Sequence, residues 1–117
     1  MNYDSLNKAG INAQVGVKRF AGNEGLYVKY LAKFPQDEIF LKLEEQWGQE
    51  NYQEVFTLAH SLKGMAGNLS LESFLTKLNE FVECLRNGKN LSQAKELYPV
   101  LVEEYQKVLT AIDEGLK

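Results

Sequence analysis

Apolar residues recur every three to four positions along most of the chain, while strand-like alternation never persists, so helical periodicity dominates. Asn12 to Phe20 reads as a short helix ended by Ala21-Gly22. Asn23 then caps a helix through Lys33, with Leu26, Tyr27, Tyr30, Leu31 and Phe34 as its apolar residues. Pro35 cannot continue a regular helix but suits a first turn. It either kinks one long helix or starts a new one through Trp47, closed by Gly48. Asn51 is placed to cap a helix reaching about Leu69, and Ser70, or alternatively Ser73, to cap another that runs to Asn87 and ends at Gly88. A last helical region spans Ser92 to Glu114, kinked or restarted at Pro99. The connections are short, which makes neighbouring helices antiparallel. The pattern predicts an all-α bundle, forming a single domain over residues 1–117.

The helix over "FTLAHSLKGMAGNLS", residues 56–70, carries two glycines in its body beside the only histidine of the chain. With ~100° per residue, Val55, Leu58, Leu62, Met65 and Leu69 fall opposite His60 and form the core stripe. Gln53, Phe56, Thr57, His60, Lys63, Gly64 and Gly67 share the other side, so His60 projects outward. Each glycine costs about 1 kcal/mol against alanine in a helix interior. On an exposed face, tight packing of another helix does not explain that loss. Glycines there leave the imidazole uncrowded, so that another backbone can come close. Lys63, at i+3, can reach a group carried on the imidazole, and a mobile ammonium suits a phosphoryl group. An exposed imidazole is in turn a nitrogen nucleophile at neutral pH. Each feature alone has a plainer explanation: a surface histidine, a chance His-x-x-Lys pair, a helix kink. Their sharing of one face favours the functional reading.

Composition narrows the class. At 117 residues, 44% hydrophobic and 25% charged, the chain can bury a core and is not of disordered type. Thirteen basic against 16 acidic side chains, net −3, argue against a general nucleic-acid binder. One Cys and one His cannot build a Cys/His metal site or an internal disulfide, and no paired-carboxylate site is evident, so no metal or cofactor is expected. A reducing, cytoplasmic setting fits the single cysteine. No apolar run approaches the ~20 residues of a membrane span, and the amino terminus lacks the apolar segment of a signal peptide, so no membrane contact is expected.

"AHSLKGMAGNL" (59–69) resembles the signature of histidine-containing phosphotransfer (HPt) domains, roughly His-x-x-Lys-Gly with a small residue near each following turn. "INAQVGVKRFAGNEGLYVKYLAKF" (11–34) is similar to that family's leading segment, with Arg19-Phe20, Gly22-Asn23 and Leu26-Tyr27 in the usual relation. "LRNGKNL" (85–91) resembles the turn between its last two bundle helices. The resemblance implies an antiparallel four-helix bundle, up-down-up-down, with one or two additional short N-terminal helices. It implies a non-kinase phosphocarrier in a multistep two-component phosphorelay. His60 would accept a phosphoryl group from the aspartyl-phosphate of a response-regulator receiver domain and pass it to another receiver. Lys63 would steady the phosphoryl oxygens, and Gly64 and Gly67, with Phe56 and Thr57, would belong to the docking face. Val15 and Ile11 are further docking candidates. The partners implied are receiver domains and a hybrid histidine kinase, with Mg2+ on the receiver and this chain a monomer.

The sequence departs from the family pattern at Gly25, at Ser70, where a small residue such as Gly is usual, and at Phe81-Val82, where Leu-Glu is common. Glu83 or Asn79 is the substitute for a polar partner of the imidazole. A helical adaptor that binds receivers without accepting phosphate is the competing class. A module cut from a hybrid sensor or chemotaxis kinase is a further reading. An autokinase is excluded, because 117 residues leave no room for a nucleotide-binding domain.

Overall fold

The computed structural model describes residues 1–117. Seven α-helices follow one another: α1 (Tyr3–Lys8), α2 (Ala13–Arg19), α3 (Glu24–Lys33), α4 (Ile39–Gly48), α5 (Tyr52–Asn68), α6 (Glu72–Leu85) and α7 (Leu91–Gly115). Two 3-10 turns, Phe34–Gln36 and Arg86–Gly88, join α3 to α4 and α6 to α7. No helix is long and apolar enough to cross a membrane.

The bundle is α4 to α7, with α4 on α5, α5 on α6 and α6 on α7 making its main contacts. Tight connections turn each helix back on its predecessor. Twenty-five buried residues form one core cluster. Its aromatic centre is Phe40, Phe74 and Tyr105, with the Phe40 and Tyr105 rings stacked at 3.8 Å. Trp47 stacks on Tyr98 at 4.4 Å further along. Tyr30 departs from its expected core place: it is 43% exposed and stacks on Phe20.

Several helix ends differ from the sequence expectation, each for a local reason. Helix α1 was not anticipated; its cap is the Asn2 side chain, which accepts from the Ser5 amide. Pro35 stands in the 3-10 turn, and Asp37, extended, accepts from the Ile39 amide to start α4 as a separate helix. Gly48 lies within α4, and Glu50 takes the left-handed position that ends it (φ 59°). Pro99 does not restart the helix: α7 runs through it as one element. It sits at an exposed position, where water can satisfy the Lys95 carbonyl that its missing N–H leaves free.

Neither Ser70 nor Ser73 caps α6, whose N-cap is Leu71 without a side-chain bond. Ser70 instead closes α5. Its φ is 57°, its amide donates to the Gly67 carbonyl at 3.2 Å, and the Leu71 amide donates to the Ala66 carbonyl at 2.9 Å. This is the paired reverse bonding of a Schellman end, in which glycine is the usual left-handed residue.

The α1–α2 connection and helices α2 and α3 seat on that turn, while α1 packs on α7. Ile11 forms an antiparallel bridge with Leu71, and the Asn12 amide donates to the Ser70 carbonyl at 2.9 Å. Arg19 Nε donates to Ser70 Oγ at 3.1 Å, and the Tyr27 hydroxyl donates to the Leu69 carbonyl at 2.7 Å. Burial pushes the Tyr27 hydroxyl well above the ordinary phenol range. Ser70 is therefore the buried hub between the N-terminal layer and the bundle, which accounts for a polar residue at that position.

Candidate functional site

Helix α5 places the candidate residues. Its buried line is Val55, Ala59, Leu62 and Ala66, continued by Leu69. Two alanines thus belong to the core stripe, while Leu58 and Met65 sit at its edge, half-buried. The alanines let α5 approach its neighbours closely. The opposite face carries exposed Thr57, His60 and Gly64, with half-buried Phe56, Lys63 and Gly67 at its margins.

A Cβ built on Gly64 or Gly67 would meet no atom within 4 Å outside its own helix turn. The fold therefore has no internal need for glycine at either position. The Phe56 and His60 rings lie nearly parallel, 15° apart in plane, with centroids 6.1 Å apart. The Thr57 hydroxyl bonds back to the Gln53 carbonyl at 3.2 Å and stays on its own helix.

Two residues from α6 and the following turn complete the surroundings, and neither was expected in this form. The Arg86 guanidinium stands 5.3 Å from the centre of the Phe56 ring, a cation-π distance. Arg86 Nε donates to both carboxylate oxygens of Glu83, at 3.3 and 3.1 Å. Arg86 holds the Glu83 carboxyl below the usual carboxylate range, and Lys63 and Lys89 act in the same sense from further off. Glu83 therefore belongs to Arg86. Neither it nor Asn79 hydrogen-bonds the imidazole, and Val82 is fully buried in the core. The signal was arithmetic: Phe56 is 14 residues before Ser70, and Glu83 and Arg86 are 13 and 16 after it. Antiparallel helices joined at Ser70 bring these to one level.

Ile11 is fully buried and is not available to a partner, whereas Val15 is half-buried on α2. Cys84, the other soft nucleophile of the chain, is buried, and that burial raises the pKa of its thiol. His60 lines none of the five surface depressions. The imidazole thus stands exposed on an open helix face, accessible to another protein, and lines no cavity that would enclose a substrate.

The family model described as Hpt domain matches residues 36–115. The chain belongs to the Hpt-domain family. That span contains α4 to α7 and the whole His60 helix. Neither the curated proteins nor the solved structures searched yield a match to the chain. Hpt domains are phosphotransfer modules of two-component phosphorelays, act without kinase activity of their own, and work with response-regulator receiver domains. The all-helical fold agrees with that family.

Proposed function

We propose that His60 is the phospho-accepting residue of this Hpt domain. In this reading it takes a phosphoryl group from the aspartyl-phosphate of one receiver domain and hands it to another. The supporting observation is the open α5 face, where the one imidazole is exposed beside two glycines that nothing in the fold requires. An imidazole nitrogen attacks phosphorus in line and forms a P–N bond. The P–O bond to the aspartate breaks, and its electron pair returns to that carboxylate. Charge spreads over three equatorial oxygens, within reach of Lys63. The receiver supplies Mg2+; this chain supplies nucleophile, access and positive charge. Phe56 and Thr57 border the docking face, with Gly64 and Gly67 giving the receiver's backbone room. Transfer in both directions suits a relay. We read residues 1–117 as one unit acting as a monomer in the cytoplasm, with a hybrid histidine kinase as the source of the relay's phosphoryl group.

The test is incubation with phosphorylated receivers and Mg2+. Acid-labile, base-stable phosphate should appear on the wild type and not on His60→Gln, and Lys63→Ala should slow the transfer. Equal labelling of both proteins contradicts the assignment. Receiver binding without labelling would establish an adaptor instead.

A further inference from the structure

One charged side chain, linked to the His60 face through Arg86 and Phe56, has the wrong sign for phosphoryl binding. Glu83 grips Arg86 through both carboxylate oxygens, and that same guanidinium covers the Phe56 ring, which stacks on His60. We propose that Glu83 sets the lifetime of phosphohistidine at His60, by competing with the phosphoryl group for Arg86 and Lys63 and by repelling the dianion itself. The inference rests on His60 as acceptor. It adds a positioning residue that acts through its neighbours and touches neither the imidazole nor the phosphoryl group.

Before transfer, Glu83 partly neutralises the cations beside α5 and fixes Arg86 in place. Arg86, in direct contact with Glu83, is the main cause that holds its carboxyl below the ordinary carboxylate range, and Lys63 and Lys89 add to it, so Glu83 is favoured as the anion. After transfer, a phosphoryl dianion stands on His60. In hydrolysis, water attacks phosphorus, the P–N bond breaks and its electron pair returns to the imidazole, releasing inorganic phosphate. The loose transition state carries less charge on the phosphoryl oxygens than the dianion does. A nearby anion therefore raises the ground state more than the transition state and speeds loss of the group. A cation does the reverse. Glu83 keeps the store of phosphate short-lived, which suits a carrier that must hand its load on.

The experiment phosphorylates the full chain with potassium phosphoramidate, where the imidazole nitrogen displaces ammonia from phosphorus, so that no receiver is needed. The phosphohistidine half-life is then measured at low salt. Glu83→Gln keeps the size and a bonding oxygen but removes the charge, and should lengthen the half-life about threefold. Glu83→Asp should keep the wild-type value, and Arg86→Met should shorten it about twofold. Salt of about 1 M should erase most of these differences, because screening then acts within about 3 Å. An unchanged half-life in Glu83→Gln, a longer one that salt does not reduce, or a His60 that phosphoramidate fails to label overturns the inference. Receivers that fail to transfer, with phosphoramidate labelling intact, overturn the phosphotransfer reading and leave this one standing.

Discussion

Glycines at two places in this molecule meet opposite surroundings. On the outer face of α5, Gly64 and Gly67 look onto open space. At the joint between the N-terminal layer and the bundle, a Cβ on Gly10 would overlap the Ser73 side chain, and just inside that layer one on Gly16 would overlap the ring of Tyr27, whose hydroxyl bonds the bundle. At the carboxyl end, a Cβ on Gly115 would come within 2.7 Å of Leu6. The joint uses glycine to bring its own elements together. The α5 face leaves room that the fold itself does not fill. Glycine in a helix is thus ambiguous in the sequence, and the space around it tells packing from access.

Substitutions can break this comparison at either end. The largest effect on stability belongs to the joint. Gly10→Ala meets both Ser73 and a φ of 82°, and should lose about 2–4 kcal/mol in denaturant unfolding. A loss under about 1 kcal/mol would show that the joint is looser than described. On the open face, Gly64→Leu should leave the fold intact or raise its stability by up to about 1 kcal/mol, since leucine is the better helix former. It should still slow transfer from a receiver by about a hundredfold, through misplacement of the docked partner. Transfer at the wild-type rate would remove access as the reason for the glycine.

Tyr27→Phe tests the joint more gently. It leaves the Leu69 carbonyl without its buried partner and should lose about 1–2 kcal/mol. The same tyrosine fixes a pH dependence. Its folded pKa is raised, so its contribution is fully present below the unfolded phenol value of about 10 and is lost as pH rises from there toward the folded value. Alkaline destabilisation above about pH 10 should therefore be weaker in Tyr27→Phe, as read from unfolding midpoints across pH. The smallest effect concerns Ser70. Ser70→Gly relieves the left-handed strain but gives up the Arg19 bond, and should change stability by less than about 0.5 kcal/mol. Ser70→Val, β-branched at positive φ, should lose about 2 kcal/mol.

Helical periodicity carried most of the fold, because a core stripe repeats at 3.6 residues wherever a helix packs on a core. It placed His60 outward and Val55, Leu62 and Leu69 inward, as the structure does. It left out Ala59 and Ala66, whose small side chains give a weak apolar signal though they are fully buried. It misread Ser70, because serine is a common N-cap, and only the tertiary bonds from Asn12 and Arg19 reveal a left-handed hub. The Glu83–Arg86–Phe56 arrangement crosses two helices, and no window along one helix contains it.

The central claim is that the open face of α5, and not the joint, meets the receiver. It is tested most directly by following backbone amide resonances of the full chain while a receiver domain is titrated in. The largest shifts should fall at Phe56, Thr57, His60, Lys63, Gly64 and Gly67, with Gly10, Gly16 and Ser70 unmoved. Shifts centred on the joint, with the α5 face silent, would contradict it.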